Sequence, residues 1–187
     1  EFPGRLVYVA TERDSVFQTF KEKEGELVHG VVQRVIKGNA ILNIGKAEAI
    51  LPLREQLPRE EFRVGDRVRA YILDVKKTSK GSPIVVSRTH PGFLKRLFEL
   101  EVPEIYEGIV EVKVAVREAG ERAKIAVASK DSNVDPVGAC VGYRGARVQA
   151  IVRELMGEKI DIVPWREDPA AFVKAALAPA DVQHVTA

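Results

Sequence analysis

The chain has 187 residues, enough for two small domains that each hold a modest core of their own. With 45% hydrophobic and 30% charged residues it is not a disordered or fibrous chain, and no apolar run reaches membrane length. The net charge of +2 hides an asymmetry: residues 25–90 hold 12 Lys+Arg against 7 Asp+Glu, a net of +5, whereas residues 91–187 hold 13 against 15, a net of −2. The first block is basic enough to favour a polyanion, although a plain solvated surface would look the same; the second would have to bind one locally.

In chain order, Glu1-Phe2-Pro3-Gly4 has no clear role and reads as residues added in cloning. Residues 14–24 place Val16, Phe17 and Phe20 at helical spacing and finish a helix, so 1–24 form a lead-in. Strands are expected at 26–36, 40–44, 47–53, 66–76 and 83–88. Gly38-Asn39 and Gly45-Lys46 serve as hairpin turns, and Lys80-Gly81-Ser82 joins the last two strands. A longer segment, 54–65, contains Pro58 and separates the third strand from the fourth. Five short strands with one long connection fit an OB-type barrel over 25–90. Arg34, Lys37, Arg54, Arg59 and Arg63 are its candidate phosphate contacts.

Pro91 opens a helix with Phe93, Leu94, Leu97 and Phe98 at helical spacing, so 91–103 reads as a linker helix between two domains. Alternating valines predict strands at 109–117 and 122–128, joined by Glu118-Ala119-Gly120-Glu121. Asp135 caps a one-turn helix that begins at Pro136. Gly142-Tyr143-Arg144-Gly145 follows. A second helix then carries Val148, Ile151, Val152, Leu155 and Met156 on one stripe and ends at Gly157. Residues 159–164 alternate as a strand. The order is strand, strand, helix, glycine loop, helix, strand: an α+β layer over 104–180, a three-stranded sheet with helices on one side. Asp168-Pro169 starts another helix with Phe172, Val173, Ala176 and Leu177 inward. Residues 181–187 begin a strand with no partner, which marks the chain as a fragment of something longer.

The glycine loop carries the chemistry. Two of its four residues lack a side chain, so backbone N–H groups can approach a phosphodiester closely. By itself a Gly-x-x-Gly is expected about once by chance in a chain with 14 glycines; its setting between two helices gives it meaning. A plain helix–turn–helix connection is one rival reading. A dinucleotide loop built from Gly138, Gly142 and Gly145 is another, but it lacks Gly-x-Gly and a strand running directly into it. The single cysteine, Cys140, excludes an internal disulfide and suits a reducing cytoplasm; it reads as a small buried hydrophobe. His29, His90 and His184 have no companions at ligand spacing, so no metal or other cofactor is expected. No nucleophile–base pair stands out, and Glu60-Glu61 and Glu167-Asp168 read as surface acids, so no enzyme is expected.

The second half resembles a KH RNA-binding domain of the type II (prokaryotic) element order. Glu24-Gly25-Glu26-Leu27-Val28-His29-Gly30-Val31-Val32 resembles the opening strand of the RNA-binding domain of ribosomal protein S-one. That domain stacks bases on aromatic residues, yet Lys37, Ala40 and Pro52 stand at the corresponding places, which leaves mainly phosphate contacts. Over about 16–187 the chain is similar to the NusA family of bacterial transcription elongation and antitermination factors. The match rests on Ser87-Arg88-Thr89-His90-Pro91, Arg122-Ala123-Lys124-Ile125-Ala126-Val127, 135–145, Gly157-Glu158-Lys159-Ile160-Asp161-Ile162 and Ala178-Pro179-Ala180-Asp181-Val182, among others.

The resemblance implies a monomeric, non-membrane, single-stranded-RNA-binding fragment, with 181–187 opening a second KH domain. RNA polymerase would be a partner of the full-length protein, alongside other transcription elongation factors and ribosomal proteins. It implies a clamp of Gly142, Tyr143, Arg144 and Gly145 framed by Val137, Gly138, Ala139, Val141, Arg147 and Val148. Ile160, Asp161, Ile162 and Val163 would form the far wall of a base-binding groove. The RNA-gripping tail of a polynucleotide phosphorylase, an exosome-type subunit and a protein-interaction scaffold are the alternatives. In the first of these the KH domain precedes the barrel, the reverse of the order here.

Overall fold

The computed structural model describes residues 14–77 and 83–186, so the opening tetrapeptide and the 80–82 turn lie outside the described residues. The chain divides into two units, Glu1–Phe93 and Leu94–Ala187.

In the first unit a helix, α1 (residues 14–21), precedes β1 (Leu27–Ile36), β2 (Asn39–Asn43), β3 (Glu48–Leu51), β4 (Arg67–Val75) and β5 (Ile84–Ser87). The strands close into a five-stranded barrel in the order β1-β2-β3-β5-β4, antiparallel except for the parallel β3–β5 pair. Alternation explains the closure: Val32, Leu42, Leu51, Ile72 and Ile84 all point inward to one core, against which Val16 and Phe17 of α1 pack and in which Phe20 is buried. β3 stops at Leu51, earlier than expected, because Pro52 has no N–H to offer the ladder and the chain turns into a 3₁₀ segment, Leu53–Glu55.

The first hairpin turn is Lys37-Gly38, not Gly38-Asn39: Ile36 pairs with Asn39, and both turn residues have positive φ, 50° and 81°. That is the two-residue turn whose twist matches its strands, and it holds Lys37 in a conformation that suits Asn or Gly better. Lys37→Asn should therefore raise stability by about 0.5–1 kcal/mol, read as a higher urea midpoint at unchanged m-value. A lower midpoint would show that the Lys37 side chain contributes more than its backbone costs.

Helix α2 (Pro91–Glu101) buries Phe93, Leu94, Leu97 and Phe98 completely. In the second unit a short helix α3 (Pro103–Tyr106) leads into β6 (Val110–Glu118) and β7 (Arg122–Ser129). Helices α4 (Pro136–Val141) and α5 (Ala146–Glu154), strand β8 (Lys159–Pro164) and helix α6 (Pro169–Ala176) follow. The sheet order is β6-β7-β8, with β6–β7 antiparallel and β7–β8 parallel, so β8 is an edge strand. Helices α4 and α5 pack on the face carrying Ala123, Ile125 and Val127. Unlike the one-sided layer expected, α6 reaches the opposite face, where the Lys124 amine donates to the Ala176 carbonyl. Ala126 and Val163 are buried on that face, and apolar surface of this kind needs a cover.

Candidate nucleic-acid interface

The glycine loop is held by features on either side of it. Asp135 caps α4, its Oδ1 accepting from Val137 N at 3.2 Å, and Pro136 takes the first helical position. Gly138 leaves room for this cap, since a Cβ there would lie 2.6 Å from the Asp135 carboxylate. Cys140 is fully buried beneath the turn; burial, with a smaller push from Glu104, raises its thiol to about 12, so it stays a neutral packing group.

Gly142 ends α4 at φ 76°, ψ 174°, Arg144 sits in the left-handed region at φ 52°, ψ 30°, and Gly145 follows at φ 74°. Three positive φ values in four residues turn the chain sharply into α5. Tyr143 is 81% exposed, and the Arg144 guanidinium lies 5.2 Å from its ring centroid.

The two glycines are required for different reasons. A Cβ on Gly142 would sit 2.6 Å from Arg147 Cγ, whereas a Cβ on Gly145 meets no atom closer than 3.9 Å. Arg147 is a strut: its Nη1 donates to the Ala139 carbonyl at 2.7 Å and to Glu104 Oε2 at 2.9 Å, tying α5 to α4 and α3. Val137, Ala139, Val141 and Val148 are half-buried around the loop.

The far wall divides by parity. Lys159 N donates to Glu121 O and Trp165 N to Val127 O, so the odd-numbered residues of β8 turn their backbone toward β7. Ile160 and Ile162 consequently direct their N–H and C=O groups to the open edge, and their half-buried side chains share the face of α4 and α5. Asp161 and Val163 project to the other face: Asp161 pairs with Arg122 at 3.3 Å, and Val163 is buried. The structure thus brings Ile160 and Ile162 together with the glycine loop's helices, and leaves the side chains of Asp161 and Val163 out.

On the barrel, Lys37 tops the first hairpin, and the Gln56 amide donates to the neighbouring Gly38 carbonyl at 2.8 Å. Arg54 is 81% exposed with Glu55 at 3.8 Å, and Arg34 pairs with Glu48 at 3.2 Å. Arg59 and Arg63 are exposed. Of the three places where an aromatic platform is expected, Ala40 is fully buried in the barrel core, so it is not a surface position at all. Two outward-facing arginines escaped the sequence reading, Arg67 and Arg69; the alternation Arg67-Val68-Arg69-Ala70 was the available signal.

A closed five-stranded barrel and an α-β-β-α-α-β domain with an exposed glycine loop define a class of protein: one that binds RNA through an OB-type barrel and a type II KH domain. The family descriptions agree, with "S1 RNA binding domain" matching residues 21–87 and "NusA-like first KH domain" residues 88–165. The chain is 55% identical over 174 residues to the transcription termination/antitermination protein NusA of Halalkalibacterium halodurans, covering 93% of this chain and 46% of that protein. It is 54% identical to the protein of the same name from Bacillus subtilis, with 93% and 47% covered, and 47% identical to that of Thermus thermophilus, with 92% and 45% covered. The chain belongs to the NusA family, and it spans about half the length of the curated relatives it matches. Among the described residues no cluster of three or more His, Cys, Asp or Glu could hold a metal, and no helix is long and apolar enough to cross a membrane.

Proposed function

We propose that the chain grips single-stranded RNA in the cytoplasm as part of a transcription factor that acts on the nascent transcript. The observation that carries this reading is the loop Gly142-Tyr143-Arg144-Gly145: three positive-φ residues, an exposed Tyr143 and an exposed Arg144 set at the start of α5. Backbone N–H groups there can meet a phosphodiester, while Ile160 and Ile162 offer edge-strand N–H and C=O groups to bases lying between β8 and the helices. Val137, Ala139, Val141 and Val148 supply the apolar floor, and Arg147 holds the loop in shape. Arg34, Lys37, Arg54, Arg59 and Arg63 of the barrel add a charge contribution that tolerates any sequence. RNA polymerase, other elongation factors and ribosomal proteins are the partners expected of the whole protein.

The test is a titration of the chain and its Arg144→Asn variant against a panel of single-stranded RNAs. Asn tolerates the left-handed backbone at 144, so the variant should keep its melting temperature. It should bind about 10-fold or more weakly, as loss of a charge-assisted phosphate contact requires, and by different factors on different RNAs. Equal affinity of parent and variant on every RNA would remove Arg144 from the site. No binding by the parent to any RNA of the panel would remove the function.

A further inference from the structure

The outer surface of the barrel between β1 and β4 carries a cationic ladder distinct from the β1–β2 hairpin. Along β4, Val68 and Ala70 enter the core, which turns Arg67 and Arg69 outward, about 6.8 Å apart along the strand. β1 lies beside them in register: His29 pairs with Arg69 and Val31, 42% exposed, with Arg67. The turn leading into β4 adds Arg63, exposed at the same end. Asp66, the acid in that turn, accepts from the Arg63 backbone N–H at 2.7 Å.

The Arg69 Nε donates to His29 Nε2 at 3.0 Å, which orients the guanidinium without occupying its terminal nitrogens. Among the described residues no carboxylate lies at ion-pair distance from Arg63, Arg67 or Arg69, whereas Arg34 and Arg54 each have one. The ladder is stiff. Arg88 Nη1 holds the Arg69 carbonyl at 2.6 Å, and Val32 exchanges backbone bonds with Asp66 and Gly65 at 2.9 and 2.8 Å.

We propose that this β1/β4 face is a phosphate track for single-stranded RNA, with Arg67 and Arg69 on successive backbone phosphates, Arg63 at the end of the track and Val31 against a base. The inference rests on the RNA-binding reading above but locates the larger barrel contribution on a ladder that includes none of Arg34, Lys37 and Arg54. Guanidinium forks match phosphate geometry, and cations held on a hydrogen-bonded ladder lose less freedom on binding than cations on a loop. An acidic protein segment would need the same charges, but the ladder shares its chain with a loop shaped for a phosphodiester, which favours RNA.

The experiment measures log affinity against log salt for the 187-residue chain on an oligouridylate and on an unrelated single-stranded RNA of equal length. Arg67→Gln/Arg69→Gln should flatten the slope by about 1.4, at about 0.7 per lost phosphate contact, and equally on both RNAs. Arg67→Lys/Arg69→Lys should restore the slope, because the charge count is kept. Should the double Gln variant fail to fold by circular dichroism, Arg67→Gln alone is expected to flatten the slope by about 0.7. If the parent binds and the folded Gln variant keeps the parent slope, the track is overturned while the RNA-binding reading stands, and an acidic protein partner takes its place. If the parent binds neither RNA, both readings fall together.

Discussion

Gly145→Asp should weaken RNA binding by the KH unit by at least about 10-fold while the chain stays folded. At this position a Cβ meets no atom closer than 3.9 Å, an ordinary contact, so the substitution costs chiefly the left-handed backbone at φ 74°, which Asp tolerates better than most residues. The new carboxylate faces the phosphate that the loop N–H groups would bind. Losing a charge-assisted contact worth about 1.5–3 kcal/mol, with like-charge repulsion added, weakens binding by roughly 10- to 100-fold or more. Gly142→Asp should act differently: its Cβ collides with Arg147, the side chain that ties α5 to Ala139 and Glu104, so that variant should lose both affinity and melting temperature. The two single variants, compared by thermal melting and by RNA titration, separate the contact surface from its scaffold. A folded Gly145→Asp chain that binds RNA as the parent does would show that the loop is a turn and nothing more.

Glu158→Ala should strongly destabilise the second unit. Glu158 and Arg117 have side-chain exposures of 0% and 1%, and the carboxylate accepts three bonds: from Arg117 Nε at 2.9 Å, Arg117 Nη2 at 2.8 Å and Gly120 N at 2.7 Å. Truncating it leaves a guanidinium buried and an amide donor unpaired, a loss of about 3–5 kcal/mol. In a unit of this size that lowers the melting temperature by on the order of 20 °C. The exposed Arg122–Asp161 pair is the internal control, because Asp161→Ala should cost less than about 1 kcal/mol. Arg117→Met combined with Glu158→Leu should recover most of the loss, since it removes both buried charges and keeps the volume. Were Glu158→Ala to melt within a few degrees of the parent, the pair would be reached by water and the account of its burial wrong. The pair also bears on function: it fastens the β6–β7 turn to the start of β8, and so fixes where the edge strand of the groove begins.

Much of this was written locally in the chain. The alternation of Val110, Val112, Val114 and Val116, the Asp135-Pro136 helix start and the stripe from Val148 to Met156 each specify an element within about ten residues. Their order sufficed for the α+β layer of the second unit. The glycine loop was equally legible, because the left-handed backbone at its two ends is one that glycine adopts without cost to a side chain. The placing of side chains was not legible, because it depends on partners far away in sequence. Arg117 meets Glu158 41 residues on, and Arg147 meets Glu104 43 residues back, so two cations that composition counts as available to RNA are instead structural. Parity at β8 separated Ile160 and Ile162 from Asp161 and Val163, although all four had been expected on one wall, since facing is set by the strand's partner and by what covers the sheet. Closure of the barrel put Ala40 inside and left Arg67 and Arg69 outside. Local periodicity determines which elements form, because backbone and burial preferences act over a turn or a pair of residues; which charges remain free to meet a ligand is decided only when distant elements pack and remove some of them from water.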